Sequence, residues 1–86
     1  MEKLRKKIDH IDEQLVKLLD ERMGLAFEIG KIKKEKGLPV LDAGRETEVF
    51  AHLQALPRIS IRDDELQELF EHIIRISRSH GARGLR

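Results

Sequence analysis

The chain has 86 residues, of which 38% are charged, and its 17 basic and 16 acidic residues leave a formal net charge of +1. It contains no cysteine, which excludes a disulfide scaffold, a thiol site and a cysteine-based metal cluster. The balanced charge removes any bulk attraction to nucleic acid or to an anionic membrane, so neither is an expected partner. No signal peptide or membrane span is apparent. We expect one soluble, cytoplasmic domain over residues 1–86.

The first predicted element is a long helix over residues 3–36. Its apolar residues follow one another in alternating steps of four and three, as in a heptad repeat. This apolar seam consists of Leu4, Ile8, Ile11, Leu15, Leu18, Leu25, Ile29 and Ile32. Gly37, followed by Leu38 and Pro39, predicts where the helix ends.

The length of this helix predicts a dimer. About 34 helical residues span roughly 50 Å, whereas a compact chain of this size has a diameter of about 30 Å. Two shorter helices cannot cover the apolar seam, so we expect the long helix of a second copy to do so. A kink near Gly24 or Gly30, giving a monomeric bundle, is the alternative.

Two shorter helices follow in the sequence. Asp42 is an N-cap type of residue, and helical spacing of the apolar residues continues from there until Pro57. Ser60 with Asp63 resembles a capping box for a third helix, which we expect to stop near Gly81. Residues 82–86 lack apolar periodicity and predict a frayed tail. The sequence is thus that of an all-α protein with three helices per chain.

One position of the apolar seam carries a charge. Arg22 occupies the heptad step between Leu18 and Leu25, and an arginine facing a helical core is costly unless it is paired or binds an anion. A salt bridge to Glu46, or a stem that bends outward, would each explain it. Lys33, however, lies eleven residues further on and only about 20° around the helix. Both cations can therefore face one ligand about 10 Å across.

Other polar residues also begin or interrupt apolar faces. Asp42, Arg45 and Glu46 have helical i, i+3, i+4 spacing, and Ser77 lies four residues after the apolar Ile73. The simpler interpretations are a cap for Asp42, a solvated pair for Arg45 and Glu46, and a hydroxyl bonded to a carbonyl for Ser77. Taken together, these residues direct more cations than acids inward. The missing negative charge is then expected to belong to a ligand.

This pattern of residues resembles the all-α class of chorismate mutase. The resemblance covers about residues 4–77 and depends on both spacing and residue type. The matching residues are Leu4-Arg5, Ile8, Ile11-Asp12, Leu18-Leu19, Glu21-Arg22, Ala26, Ile29-Gly30, Lys33, Pro39-Val40, Asp42, Arg45-Glu46, Leu69-Phe70 and Ser77. It implies an intertwined homodimer, a six-helix bundle with two shared sites, that converts chorismate to prephenate on the route to phenylalanine and tyrosine.

The resemblance also implies roles for the charged residues. Arg22 and the Arg5 of the second copy would hold the two carboxylates of chorismate, and Lys33 would donate to its ether oxygen. Arg5 lies about 25 Å from Arg22 along the helix, so it cannot join the same site within one chain. The reaction is a pericyclic rearrangement that needs no proton transfer and no cofactor. Orientation and fixed positive charge are therefore the expected means of catalysis.

The second and third helices carry the rest of the implied site. Asp42 and Glu46 would bind the region of the ring hydroxyl, Arg45 would help to order the site, and Ser77 would contact the substrate. One turn after Ser77 the family usually has Gln or Glu as a second donor to the ether oxygen, but this chain has Gly81. Either His80 or Arg83 supplies the missing donor, a water molecule takes its place, or catalysis is weak.

Two other functions remain open from the sequence. The related isochorismate-pyruvate lyase reaction uses a similar cationic pocket, although the set Arg5, Asp42, Arg45 and Glu46 favours the mutase. A regulatory or dimerisation module of a larger shikimate-pathway enzyme is a second alternative, and a natural fusion to such an enzyme fits either. The four histidines lack zinc-site spacing, so no metal is expected. The C-terminal arginines, Arg78 among them, are interpreted as a solvated face rather than an RNA-binding patch.

Overall fold

The computed structural model describes residues 1–84 and contains three helices. They are α1 (Glu2–Lys36), α2 (Ala43–Gln54) and α3 (Asp63–Gly84). The all-α prediction is confirmed, and no strand occurs within the described range. None of the three helices combines the length and the hydropathy needed to cross a bilayer.

Helix α1 is a single unbroken helix, as predicted, and the alternative of a kink near Gly24 or Gly30 is wrong. It determines the shape of the chain, whose longest dimension is 52 Å. The radius of gyration is 15.5 Å, compared with about 12 Å for a compact chain of this length. Residues 1–18, which form the first half of α1, are all exposed.

The end of α1 depends on a left-handed glycine. Gly37 has φ 66° and ψ 29°, a conformation that costs a residue with a side chain about 1–2 kcal/mol. The turn lets the backbone N–H of Leu38 donate to the carbonyl of Lys33 at 2.8 Å, as in a Schellman motif. The chain thereby reverses direction and brings Val40 back alongside the last turns of α1.

Helix α2 begins as predicted, because the carboxylate of Asp42 accepts a hydrogen bond from the backbone N–H of Arg45 at 3.0 Å. It ends at Gln54, slightly before the expected stop at Pro57. Arg58 then joins α2 to α3, since it donates to the carbonyls of Gln54 and Ile61 and pairs with Asp63. With only 16% of its side chain exposed, Arg58 fixes the angle of this connection.

Both predicted ends of α3 need correction. The capping box of Ser60 and Asp63 is wrong, because the helix begins at Asp63 and the carboxylate of Glu65 accepts from the backbone N–H of Arg62 at 3.0 Å. At the other end the helix does not stop near Gly81 but continues to Gly84. The predicted frayed tail is therefore wrong for residues 82–84, while residues 85–86 lie outside the described residues.

Helix α3 continues because its last turns pack directly on α1. A methyl group added at Gly30 would lie 2.1 Å from the carbonyl oxygen of Gly81, so the two backbones touch there. One turn further along α3, a methyl group at Gly84 would lie 2.2 Å from the carbonyl oxygen of Phe27. The last turns of α3 are thus held by this glycine contact, formed by Gly30, Gly81 and Gly84, and not by apolar side chains at helical spacing. The predicted end of α3 relied on such side chains.

The apolar seam of α1 is not covered by any of residues 1–84. Its members retain between 49% and 62% of their surface, and only Leu66 and Ile74 form a buried apolar core among the described residues. Helix α3 packs on both other helices, whereas no Cα atom of α1 lies within 8 Å of a Cα atom of α2. A gap is left between α1 and α2, and α3 closes one side of it.

Candidate active site

The gap between α1 and α2 is a pocket of about 320 Å³. Each helix contributes residues at i, i+3, i+4 and i+7, so one face of every helix points into it. The lining residues are Arg22, Leu25, Ala26, Ile29, Gly30 and Lys33 of α1, Val40 of the following turn, Asp42, Arg45, Glu46 and Val49 at α2, and Ile74, Ser77, Arg78 and Gly81 of α3. Seven of the eight predicted site residues therefore line one pocket.

The eighth predicted residue, Arg5, lies elsewhere on its own chain. Its side chain is 65% exposed and pairs with Glu2 at 3.5 Å, at the far end of α1. This position agrees with the expectation that Arg5 cannot reach the pocket of its own chain.

Arg22 is half-buried and has no acidic partner among residues 1–84. It donates to the hydroxyl of Ser77, and that hydroxyl in turn donates to the carbonyl of Ile73 at 2.9 Å. Burial lowers the pKa of Arg22, and the positive charge of Arg45 lowers it further. The alternative salt bridge from Arg22 to Glu46 is wrong, since no ion pair of Arg22 occurs among residues 1–84.

Lys33 lies at the other end of the stretch of α1 that lines the pocket, which begins at Arg22. Its ammonium group donates to the carbonyl oxygen of Val40 at 2.9 Å, a contact made available by the left-handed turn at Gly37. An ammonium group has three donors, so two remain for a ligand. Arg22 and Lys33 therefore present fixed positive charge from the same face of α1.

The acidic residues of the pocket are already engaged. Asp42 caps α2, as its simpler interpretation predicted. The interpretation of Arg45 and Glu46 as a pair is wrong: Arg45 lies 3.5 Å from the exposed Glu48, whereas Glu46 binds Arg78 of α3 at 3.0 Å. Neither acid neutralises Arg22 or Lys33, so the pocket has an excess of positive charge.

One residue of the pocket was judged differently from the sequence. Arg78 was assigned to a solvated face, yet it lines the pocket; its position four residues after Ile74, on the same helix face, is the signal that would have indicated this. His80 and Arg83, considered as substitutes for the side chain missing at Gly81, are absent from the lining.

Residues 4–81 match the family model of chorismate mutase type II. The chain belongs to this family. Membership confirms the resemblance predicted from the residues and, with it, the predicted enzyme class, an isomerase.

Individual chorismate mutases show the same likeness. The chain is 35% identical over 74 residues to the chorismate mutase of Methanocaldococcus jannaschii, covering 80% of this chain and 75% of the relative. It is 40% identical over 75 residues to the bifunctional chorismate mutase/prephenate dehydratase of Aquifex aeolicus, covering 87% of this chain. The chain spans only 21% of the length of that bifunctional relative.

A solved structure agrees over nearly the whole chain. The crystal structure of the Helicobacter pylori chorismate mutase in complex with prephenate superposes with a TM-score of 0.89 at 31% identity. The superposition covers 98% of this chain and 91% of that one. The three-helix arrangement around the pocket is therefore shared with a chorismate mutase that holds prephenate.

Proposed function

We propose that this pocket isomerises chorismate to prephenate, and that Arg22 is the centre of its substrate-binding site. The observation that carries the proposal is the state of Arg22, a half-buried guanidinium with a second cation nearby and no acidic partner among residues 1–84. Such a group is stabilised by a bound anion. Chorismate, with two carboxylates, supplies that charge.

The reaction requires binding and charge rather than acid–base groups. A carbon–oxygen bond breaks while a carbon–carbon bond forms, within one molecule and without proton transfer. Only interactions that are stronger in the transition state accelerate such a step. Holding the carboxylates selects the compact conformer, and a fixed cation at the ether oxygen stabilises the charge that develops there.

The two cations of α1 have suitable donors for these roles. A guanidinium has five N–H donors in a planar fork that matches a carboxylate, and Ser77 accepts from Arg22 without neutralising it. Lys33 is a point charge, already oriented by the carbonyl of Val40, with donors left for the ether oxygen. We assign the carboxylate to Arg22 and the ether oxygen to Lys33.

The residues of α2 complete the proposed site. Asp42 and Glu46 present carboxylate oxygens, which accept hydrogen bonds and so suit the ring hydroxyl of the substrate. Arg45 contributes positive charge near Arg22. Gly81 has no side chain that could donate a hydrogen bond, although the family usually has a donor at this position of α3.

A second copy of the chain is part of the proposal. The apolar seam of α1 is about half exposed along its length, and a homodimer with crossed α1 helices, forming a six-helix bundle, would cover it. In that arrangement the Arg5 of one chain would enter the pocket of the other and bind the second carboxylate. Each active site would then need both chains.

The first test is loss of chorismate absorbance on addition of the purified protein. We expect activity in the parent and a loss of at least about a hundredfold in Arg22→Ala, as for other groups that hold a reacting substrate. Arg75→Ala is the matched control, because Arg75 is exposed, lies on α3 and does not line the pocket. An inactive parent would refute the proposal, and turnover of isochorismate instead would identify the lyase.

The shared site has its own test, which mixes two inactive variants. Arg5→Ala and Arg22→Ala are each expected to be inactive as homodimers. In a mixed dimer one site receives both substitutions and the other receives neither, so random exchange should restore about a quarter of the parent activity. No recovery, although mass measurement shows mixed dimers, would contradict a site built from both chains.

A further inference from the structure

Helix α3 supplies a cation to the pocket that the proposed mechanism does not use. Arg78 follows Ser77 directly and lies one turn after Ile74, so it shares the pocket face of the helix. Its side chain is 44% exposed, and it therefore stands at the rim rather than at the floor. Across the pocket from it are the cations of α1.

Arg78 makes a two-point contact with Glu46 of α2. Its Nε lies 3.0 Å from Oε2 of Glu46, and its terminal NH2 nitrogen lies 3.5 Å from Oε1. Two nitrogens facing two oxygens is the forked arrangement that fixes both the position and the plane of a carboxylate. The Glu46 side chain is 25% exposed, so the carboxylate is partly shielded from solvent.

The contact determines which charges remain for a ligand. Three other cations line the same pocket: Arg22 and Lys33 of α1 and Arg45 of α2. Without Arg78, the Glu46 carboxylate would be free to pair with Arg22 or Lys33, since Asp42 is already engaged as the cap of α2 and Arg45 already pairs with Glu48. An internal pair with Glu46 would neutralise a charge that a dianionic substrate needs, and the substrate would have to displace it.

We propose that Arg78 is a positioning residue of this site, which holds Glu46 against α3 and so keeps Arg22 and Lys33 unpaired for the substrate. The proposal depends on the assigned function, because it concerns binding of a dicarboxylate in this pocket. Arg78 acts through Glu46 and does not touch the substrate. It also connects α2 to α3 at the open side of the pocket.

The test is a double-mutant cycle on chorismate kinetics with Arg78→Gln, Glu46→Gln and the double variant. Arg78→Gln frees a charged Glu46, so we expect KM to rise about threefold to tenfold with kcat changed less than about twofold, the signature of lost substrate binding. In the Glu46→Gln background there is no carboxylate to hold. The same Arg78→Gln substitution should then change KM by less than about twofold.

Each outcome of the cycle has one meaning. Equal increases in KM in both backgrounds would show that Arg78 binds the substrate directly, and no increase in either would show that the pair is incidental; both overturn the proposal. Arg75→Gln, three residues earlier on α3, is the matched control, and circular dichroism checks that every variant folds. A parent that does not turn over chorismate would instead refute the assigned function, and this inference with it.

Discussion

Replacing Gly30 by alanine tests the contact that holds α1 and α3 together. The added methyl carbon would lie 2.1 Å from the carbonyl oxygen of Gly81 and 3.0 Å from its Cα. Non-bonded heavy atoms are most stable at about 3.5 Å or more, so the helices must separate locally by roughly 1.4 Å. Backbone atoms cannot rotate away as a flexible side chain can, and the strain cannot be relieved within one residue.

The net effect on stability follows from two opposing contributions. Alanine in place of glycine inside a helix is favourable by about 1 kcal/mol, whereas overpacking costs typically about 1–3 kcal/mol. For a backbone-to-backbone overlap we take the upper value, which leaves a net loss of about 2 kcal/mol. For a domain of this size that corresponds to a fall in Tm of about 8–16 °C.

The same separation should reduce activity. Gly30 lies between Arg22 and Lys33 on the pocket face, and Gly81 lies one turn after Ser77. Moving α3 away from α1 therefore shifts Ser77 relative to the guanidinium that it orients. A displacement of about 1 Å can cost up to a hundredfold in rate, and we expect kcat/KM for chorismate to fall about tenfold to a hundredfold.

Gly24→Ala is the matched control, because the same substitution in the same helix meets no atom within 4 Å. It should raise Tm by up to about 8 °C and leave kcat/KM unchanged. Thermal unfolding by circular dichroism, at equal protein concentrations, and chorismate kinetics measure both effects. If Gly30→Ala resembled Gly24→Ala in stability and rate, the close approach of the two helices would be refuted.

Three further substitutions test other parts of the structure. Gly81→Gln should raise kcat about tenfold, which is part of the effect that an added hydrogen-bond donor to the transition state can have. Gly81→Ala is the control, because its methyl group meets Val40 at the same 3.3 Å but carries no donor. Equal kcat values for the two variants would exclude a donor effect. Asp42→Ala should destabilise the chain by about 1 kcal/mol in denaturant titration, whereas Asp42→Asn retains the cap; equal losses would contradict the capping role. Ile11→Lys should give a monomer by light scattering, unlike Glu13→Lys on the opposite face of α1, and a dimer in both would contradict the apolar seam as interface.

The sequence predicted the fold where apolar periodicity was uninterrupted. The limits of α1 were correct to within one residue because the apolar seam continues to Ile32 and a glycine turn follows. The end of α3 was wrong because the signal there is of a different kind. Gly81 and Gly84 suggest a helix end when they are read locally, whereas in the structure they allow two backbones to touch. That contact depends on residues far apart in the chain.

Much of the pocket could be predicted, but not its internal pairing. A charge at a heptad position identified Arg22, the small angle around the helix between Arg22 and Lys33 identified Lys33, and helical spacing identified the residues of α2. Which acid pairs with which base depends on how α2 and α3 are placed, and the sequence contains no direct signal for that. The pairing of Glu46 with Arg78 was therefore not predicted, and Arg78 was assigned to a solvated face of α3.

The exposed first half of α1 has a consequence for how the protein responds to its own concentration. Residues 1–18 are all exposed, and most of the stability of a helix in a protein comes from the packing of its apolar face. In the proposed dimer, dilution would remove the contacts that keep this segment helical and withdraw Arg5 from the partner's pocket at the same time. Folding of the segment, assembly and completion of the active site would then be a single equilibrium, and activity per molecule would fall as the protein becomes scarce.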